Sequence, residues 1–341
     1  MRQPPEWAPH RAVWIGFPSH GELWEEDLEP ARAEVAAFAL AVHAEGRGEE
    51  VRLVAADPQS ARAAAARAPF ATIVQEPFGD IWLRDTGPLL TVRSYKVNRA
   101  PDGRGCIMGL ERELSAASFR FNGWGGKYEL EGDDTLGPRL AATIGLDAER
   151  FDWVLEGGAI DMDGTGLAVT TEQCLLNPNR NPGVSREETE RRLRDQLGID
   201  RLLWLGEGLL NDHTDGHVDN LARFVGEGRL ALPAAAGADD PNAAVYEDAR
   251  RRALAFGLEV VEIPSPGRVE RDGEIVPASY MNFYIGNAAV VVPLYGAPND
   301  EAAVAAVQKL FPGRRAVGLQ ADHVLTGGGS FHCISQQVPR I

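Results

Sequence analysis

The chain has 341 residues, of which 44% are hydrophobic and 25% charged, and its formal net charge is −16 at pH 7. This is the composition of a folded globular protein; the acidic balance argues against a nucleic-acid partner and suits a small cationic substrate. Cys106, Cys174 and Cys333 are too few for a disulfide scaffold, residues 1–6 lack an apolar leader, and no apolar run reaches the ~20 residues of a membrane span, so a reduced cytoplasmic protein is expected.

Residues 12–17, between Pro9 and Pro18, read as a buried strand. An alanine-rich helix follows at 29–45, then a strand at 51–55. Asp57-Pro58 opens a short helix to Arg67, with Asp at the cap and Pro in the first turn. Residues 71–74 and 81–92 read as strands, 94–117 as a polar surface hairpin turning at Pro101-Asp102-Gly103, and 118–122 as strand again. A loop at Trp124-Gly125-Gly126 leads to a helix at 136–144. In the second half, strands are expected at 153–155, 166–170, 202–205, 221–225, 229–232, 258–263, 281–285, 288–292 and 315–319. Helices are expected at 185–197, where Ser185 and Glu188 form a capping-box pair, at 240–256 and at 300–310. Two or three strands separate successive helices, which disfavours a simple doubly wound sheet. The spacing predicts an α/β strand-helix unit used several times around a centre. With no long linker, residues 1–341 are expected to form one domain.

Four stretches carry candidate chemistry. Gly327-Gly328-Gly329 leaves room beside the backbone and brings Cys333 to the end of a loop, where a thiol can meet a cleft. A free Cys is equally at home as a small buried hydrophobe, and becomes a nucleophile only in an electropositive, partly open setting. Asp85, in Trp82-Leu83-Arg84-Asp85-Thr86-Gly87-Pro88, is either a carboxylate aimed into a cleft or a turn residue. Glu156 precedes Gly157-Gly158 among apolar neighbours, where a carboxylate is paired or functional. In His213-Thr214-Asp215-Gly216-His217-Val218-Asp219, strand continuation from His217 sets His217 and Asp219 on one face at period two. The carboxylate then favours an imidazolium, which a thiolate needs nearby. The competing reading is a metal-dependent hydrolase with His213, His217 and Asp219 as ligands.

These stretches, with Pro9-His10, Phe121 to Lys127, Thr171 to Arg180 and the Gln336-Gln337 end of the last one, resemble in order the agmatine deiminase family, related to bacterial peptidylarginine deiminases. The resemblance implies the pentein fold, a five-bladed α/β propeller of strand-helix repeats, with no metal or organic cofactor. It places the nucleophile on Cys333, the acid/base on His217, guanidinium-binding carboxylates on Asp85 and Asp219, and an accompanying glutamate on Glu156. It implies hydrolysis of agmatine to N-carbamoylputrescine and ammonia through a covalent thiouronium, a step towards putrescine. Peptidyl-arginine is the alternative substrate. Gly328 and Gly329 are candidate substrate contacts, and Trp82 and Asp80 candidates for the tail ammonium. The family pattern is departed from at Gly79, Asp161, Asp215 and Ser330-Phe331, none of them a presumed catalytic position. Subunit number is left open, a homo-oligomer included.

Overall fold

The structure, a computed structural model, describes residues 1–99 and 107–341; the turn expected at Pro101-Asp102-Gly103 and Cys106 lie outside the described residues. Five sheets follow one plan. The first takes β1 (His10–Gly16), β2 (Glu50–Ala55) and β3 (Thr72–Gln75); the second takes β4 (Leu89–Arg99), β5 (Ile107–Arg120) and β6 (Ala148–Val154). The third holds β7 (Asp161–Met162), β8 (Leu167–Thr171) and β9 (Arg201–Leu205), and the fourth β10 (Arg223–Gly226), β11 (Arg229–Ala234) and β12 (Glu259–Pro264). A small hairpin of β13 (Glu270–Arg271) and β14 (Glu274–Ile275) precedes the fifth sheet, of β15 (Tyr284–Ile285), β16 (Ala289–Leu294) and β17 (Arg315–Gln320). The last strand, β18 (Ser335–Pro339), returns to the first sheet and pairs antiparallel with β1.

In every sheet one pair is antiparallel and the next parallel: β18 with β1 and β1 with β2, then β4 with β5 and β5 with β6, and so on round the molecule. Each parallel pair requires a crossover, which a helix supplies. These helices are Leu28–His43, Asp133–Ala142, Arg186–Leu197, Ala243–Phe256 and Asp300–Leu310, and Pro58–Arg67 serves the further parallel pair of β2 with β3 in the first sheet. They carry one apolar stripe each, as in Ala31, Val35, Phe38, Ala39 and Val42, all fully buried. Asp57 and Ser185 cap their helices as expected, accepting from the Ser60 and Glu188 amides respectively. The result is the five-bladed α/β propeller that the resemblance implied, and no helix among the described residues is long and apolar enough to cross a membrane.

Several expectations are corrected. Residues 81–92 are not one strand: Leu83–Thr86 form a helical turn, and the strand starts at Leu89. Residues 94–99 and 107–117 are the paired arms of β4 and β5, which accords with the hairpin expected there. Val218–Asn220 and Tyr280–Asn282 are 3-10 turns where strand was expected, and β18 was not anticipated. The first three residues of β18, Ser335, Gln336 and Gln337, are polar yet buried, so neither apolar content nor alternation marks the strand.

Charges sit at the centre with the apolar core. The fully enclosed Glu6 carboxylate ion-pairs through Oε2 with Arg84 (3.3 Å), Arg223 (3.0 Å) and His332 (2.8 Å), while Oε1 accepts the Ile285 amide (2.7 Å). Arg223 also reaches Asp161 at 3.3 Å, which gives that departure from the family pattern a local partner. Phe331, another departure, is fully buried and stacks on Phe38 with centroids 4.9 Å apart. Phe331→Ala is therefore expected to destabilise the fold by about 3–5 kcal/mol, read as a lowered urea midpoint at unchanged slope; a loss below about 1 kcal/mol would deny the stack a structural role.

Candidate active site

The turn that follows the glycine loop brings Cys333 to the wall of a cavity of about 430 Å³, together with Trp24, Asp80, Trp82, Asp85 and Trp124. Gly328 and Gly329 line it as well. A Cβ on Gly329 would stand 2.7 Å from the Trp82 ring and 3.1 Å from Cys333 Sγ, so only glycine lets the loop pass between indole and sulfur. The sulfur accepts from Asn282 Nδ2 at 3.0 Å and lies 3.5 Å from Asp219 Oδ2. Asn282 Oδ1 in turn accepts the His332 amide at 3.0 Å and the Cys333 amide at 3.3 Å, which fixes the turn from the opposite side.

Asp85 stands on the helical turn Leu83–Thr86, with Oδ2 receiving the Trp124 indole N–H and Oδ1 the Gly158 amide, both at 2.9 Å. Asp219 stands on the 3-10 turn after His217 rather than on a strand. The period-two face expected for the pair is thus absent, yet the turn still brings both side chains to one point. A Cβ built on Gly158 would meet His217 Nδ1 at 2.6 Å, Asp85 Oδ1 at 3.0 Å and Asp219 Oδ2 at 3.1 Å. That glycine marks the spot where three chains of contact converge, and a side chain there would push them apart. His217 Nδ1 is 3.7 Å from Asp85 Oδ2. Behind the ring, a carboxylate oxygen of Glu156, the Cys174 sulfur and a His217 nitrogen all lie within 4.8 Å of one another.

Burial governs the electrostatics. It pushes the Cys333 thiol well up, and Asp219 and Asp85 add to the effect, so the empty cavity favours a neutral thiol. Burial also raises Asp85, offset by His217 but reinforced by Asp219 and Glu156. His217 moves the other way: burial resists its charge, but Asp85, the Cys174 sulfur and Glu156 outweigh it and hold the ring well above its usual range, as a cation. Asp219 stays below its usual value despite burial, because His332 hydrogen-bonds to it at 2.7 Å and His217 and Arg223 bring positive charge near it. Its Oδ1 is buried without a hydrogen-bond partner. A cationic ligand in the cavity would give that oxygen a donor and lower the thiol's proton affinity in one step.

At the outer side, Asp80 receives the indole N–H of Trp24 at 3.0 Å and of Trp82 at 2.7 Å. Burial pushes its carboxyl up to about 6 against the Ile81 amide and the two indoles. His213 is exposed near the mouth, 3.3 Å from the Tyr128 hydroxyl. It does not join His217 and Asp219: among the described residues, the only His, Cys, Asp and Glu side chains close enough for a shared ion are Glu156, Cys174 and His217. The metal set expected as the competing reading is therefore not assembled.

Asn282, His332, Trp124 and Glu6 were not singled out from sequence. Trp124 and His332 fall inside quoted motifs, and a polar residue beside the cysteine was a usable signal. Asn282 and Glu6 sit in unremarkable contexts and declare themselves only through contacts across the fold.

Comparison with known proteins agrees with this geometry. The family model described as Porphyromonas-type peptidyl-arginine deiminase matches residues 2–339. The agmatine deiminase of Stutzerimonas stutzeri (strain A1501) is 36% identical over 367 residues, covering 98% of this chain and 95% of its own. That of Pseudomonas aeruginosa (strain UCBPP-PA14) is 36% identical over 377 residues, covering 99% and 95%. A solved structure of the agmatine deiminase of Enterococcus faecalis superposes with a TM-score of 0.88 at 30% identity, covering 99% of this chain and 96% of that one. Matched along its length by model, sequence and structure, the chain belongs to the Porphyromonas-type peptidyl-arginine deiminase family.

Proposed function

We propose that this protein is an agmatine deiminase, a cytoplasmic hydrolase formed by one domain over residues 1–341, which converts agmatine and water to N-carbamoylputrescine and ammonia. The observation that carries the reading is the Cys333 sulfur at the wall of a cavity that Asp85 lines, with Asp219 buried 3.5 Å from the sulfur. A guanidinium carbon is a weak electrophile because its charge is delocalised. Asp85 and Asp219 hold its planar N–H edges by charge-assisted bonds and turn the carbon towards sulfur; such orientation is worth on the order of 7–11 kcal/mol in good intramolecular models. The arriving cation depresses the thiol, which releases its proton to solvent water, and the thiolate attacks the carbon.

The tetrahedral adduct collapses when the His217 cation gives a proton to one nitrogen and ammonia leaves. The carbon remains bonded to sulfur as a thiouronium. Neutral His217 then removes a proton from water, which attacks the same carbon; sulfur departs and the urea product is released. Glu156 supports the cationic form of the ring. In the outer half, Asp80 takes the tail ammonium between the Trp24 and Trp82 rings. The product is a precursor of putrescine. One observation favours a second reading, deimination of arginine in a peptide: an outer cavity of about 620 Å³ adjoins the first and shares Tyr128, His213 and Gly328 with it, more room than a four-carbon tail needs.

Ammonia release from agmatine, free arginine and an arginine peptide, measured side by side, is expected to rank agmatine first; a peptide preferred over agmatine would select the second reading. Cys333→Ala is expected to lose roughly 10³-fold or more in kcat, and undiminished turnover by that variant would discard the covalent route. Asp80 must be ionised to hold an ammonium. As pH falls through about 6 it takes up a proton, so KM for agmatine is expected to rise below that pH. Asp80→Asn should raise KM about 10- to 100-fold and flatten this acid limb; an unchanged limb would move the tail site elsewhere.

A further inference from the structure

Arg180 is absorbed by none of the steps above, yet its side chain is fully enclosed beside the site. Its Nε donates to Glu156 Oε1 at 2.6 Å. One terminal nitrogen donates to the Thr214 carbonyl at 2.7 Å, and the other to Asp215 Oδ2 and to Asn179 Oδ1. The two ends of the fork thus grip different objects. One is the acid behind His217; the other is the loop that delivers His217.

That loop needs holding. Asp215 and Gly216 take φ of +61° and +83° in succession, and the first is not a glycine. Asp215 is tied down by Arg180, Asn179 and Lys127. The His217 amide donates to Thr214 Oγ1 at 3.1 Å, so a shift of Thr214 passes directly to the histidine backbone. The second oxygen of Glu156 and both ring nitrogens of His217 are buried without a hydrogen-bond partner. With no bond between acid and ring, their separation is set from outside the pair.

We propose that Arg180 is the positioning residue of this centre, its one guanidinium fixing Glu156 and the His217 loop at the same time and so holding acid and imidazole in register. The inference rests on the catalytic role given to His217 under the proposed function. The groups facing the ring are Asp85 from its helical turn, Glu156 from the segment before Gly157, Cys174 from the turn after β8, and Asp219 from its own segment. Without Arg180, Glu156 would be a buried carboxylate lacking its cation, and it takes up a proton instead. The ring then loses an anionic neighbour and gives up its own proton more readily.

Arg180→Gln is expected to lower kcat about 10- to 100-fold, the loss seen when a group orienting a functional histidine from behind is removed, with KM for agmatine within about threefold of wild type. The His217 ring signal, followed by NMR in a Cys333→Ala background, should titrate at lower pH in Arg180→Gln than in its parent. Arg180→Lys, which returns the charge but not the fork, should restore the titration while leaving kcat reduced. Because Arg180 also holds the loop through Thr214 and Asp215, adding Arg180→Gln to Glu156→Gln should lower kcat further while leaving the His217 titration of Glu156→Gln in place. An unmoved His217 titration in Arg180→Gln, or a kcat that Arg180→Gln leaves unchanged in the Glu156→Gln background, would overturn the proposal. If Arg180→Gln does not accumulate folded, Arg180→Lys and the double variant, which leaves no orphaned buried charge, decide by the same criteria. The titration needs no substrate, so it stands even if wild-type protein releases no ammonia from agmatine.

Discussion

Glu6 binds two guanidinium groups and an imidazole with a single carboxylate, and the centre of the molecule depends on it. Arg84 comes from the turn that carries Asp85, Arg223 from the start of the fourth sheet, and His332 from the residue before Cys333. Buried ions are tolerated only when paired, and removal of one partner from such a pair costs about 3–5 kcal/mol. Glu6 therefore links the second, fourth and fifth sheets and the terminal turn by charge rather than by apolar contact. Its pull on His332 has a further effect, since the opposite ring nitrogen of His332 holds Asp219. The ion network that joins the blades is continuous with the groups that face the ligand.

Around the cavity, burial presses Cys333 and Asp85 towards their neutral forms, while Asp219 and His217 keep their charges through neighbours. The site is short of positive charge on the ligand side. On the proposed mechanism a planar cation supplies it, and in doing so ionises the sulfur that attacks it. Selectivity for cations and activation of the nucleophile then have one physical origin, which spares the empty enzyme an exposed thiolate.

Much of the fold was legible because its regular parts obey local rules. The crossover helices show apolar stripes and capped starts, and the count of strands between them pointed to a repeated unit. What stayed hidden depends on distant partners. β18 is built from Ser335, Gln336 and Gln337, polar residues whose burial follows from the strand beside them. His217 and Asp219 were brought together by the right residues for the wrong reason, since a 3-10 turn and not a strand sets them at Gly158. Cys333, Asp85 and Glu156 stood out through their glycine-rich or apolar contexts. Asn282 gave no such signal, because an asparagine buried against a sulfur looks in sequence like any asparagine in a turn.

The pairing of β18 with β1 also orders events in time. His10 faces Pro339 across that ladder, so β1 waits for a partner more than three hundred positions downstream. The sulfur is likewise translated after every other residue assigned to the centre. Contacts of such long separation form late. A nascent polypeptide can therefore build its inner blades while still tethered; on the proposed mechanism it stays chemically silent until β18 docks, and a product truncated before Cys333 carries a carboxylate cradle with no nucleophile.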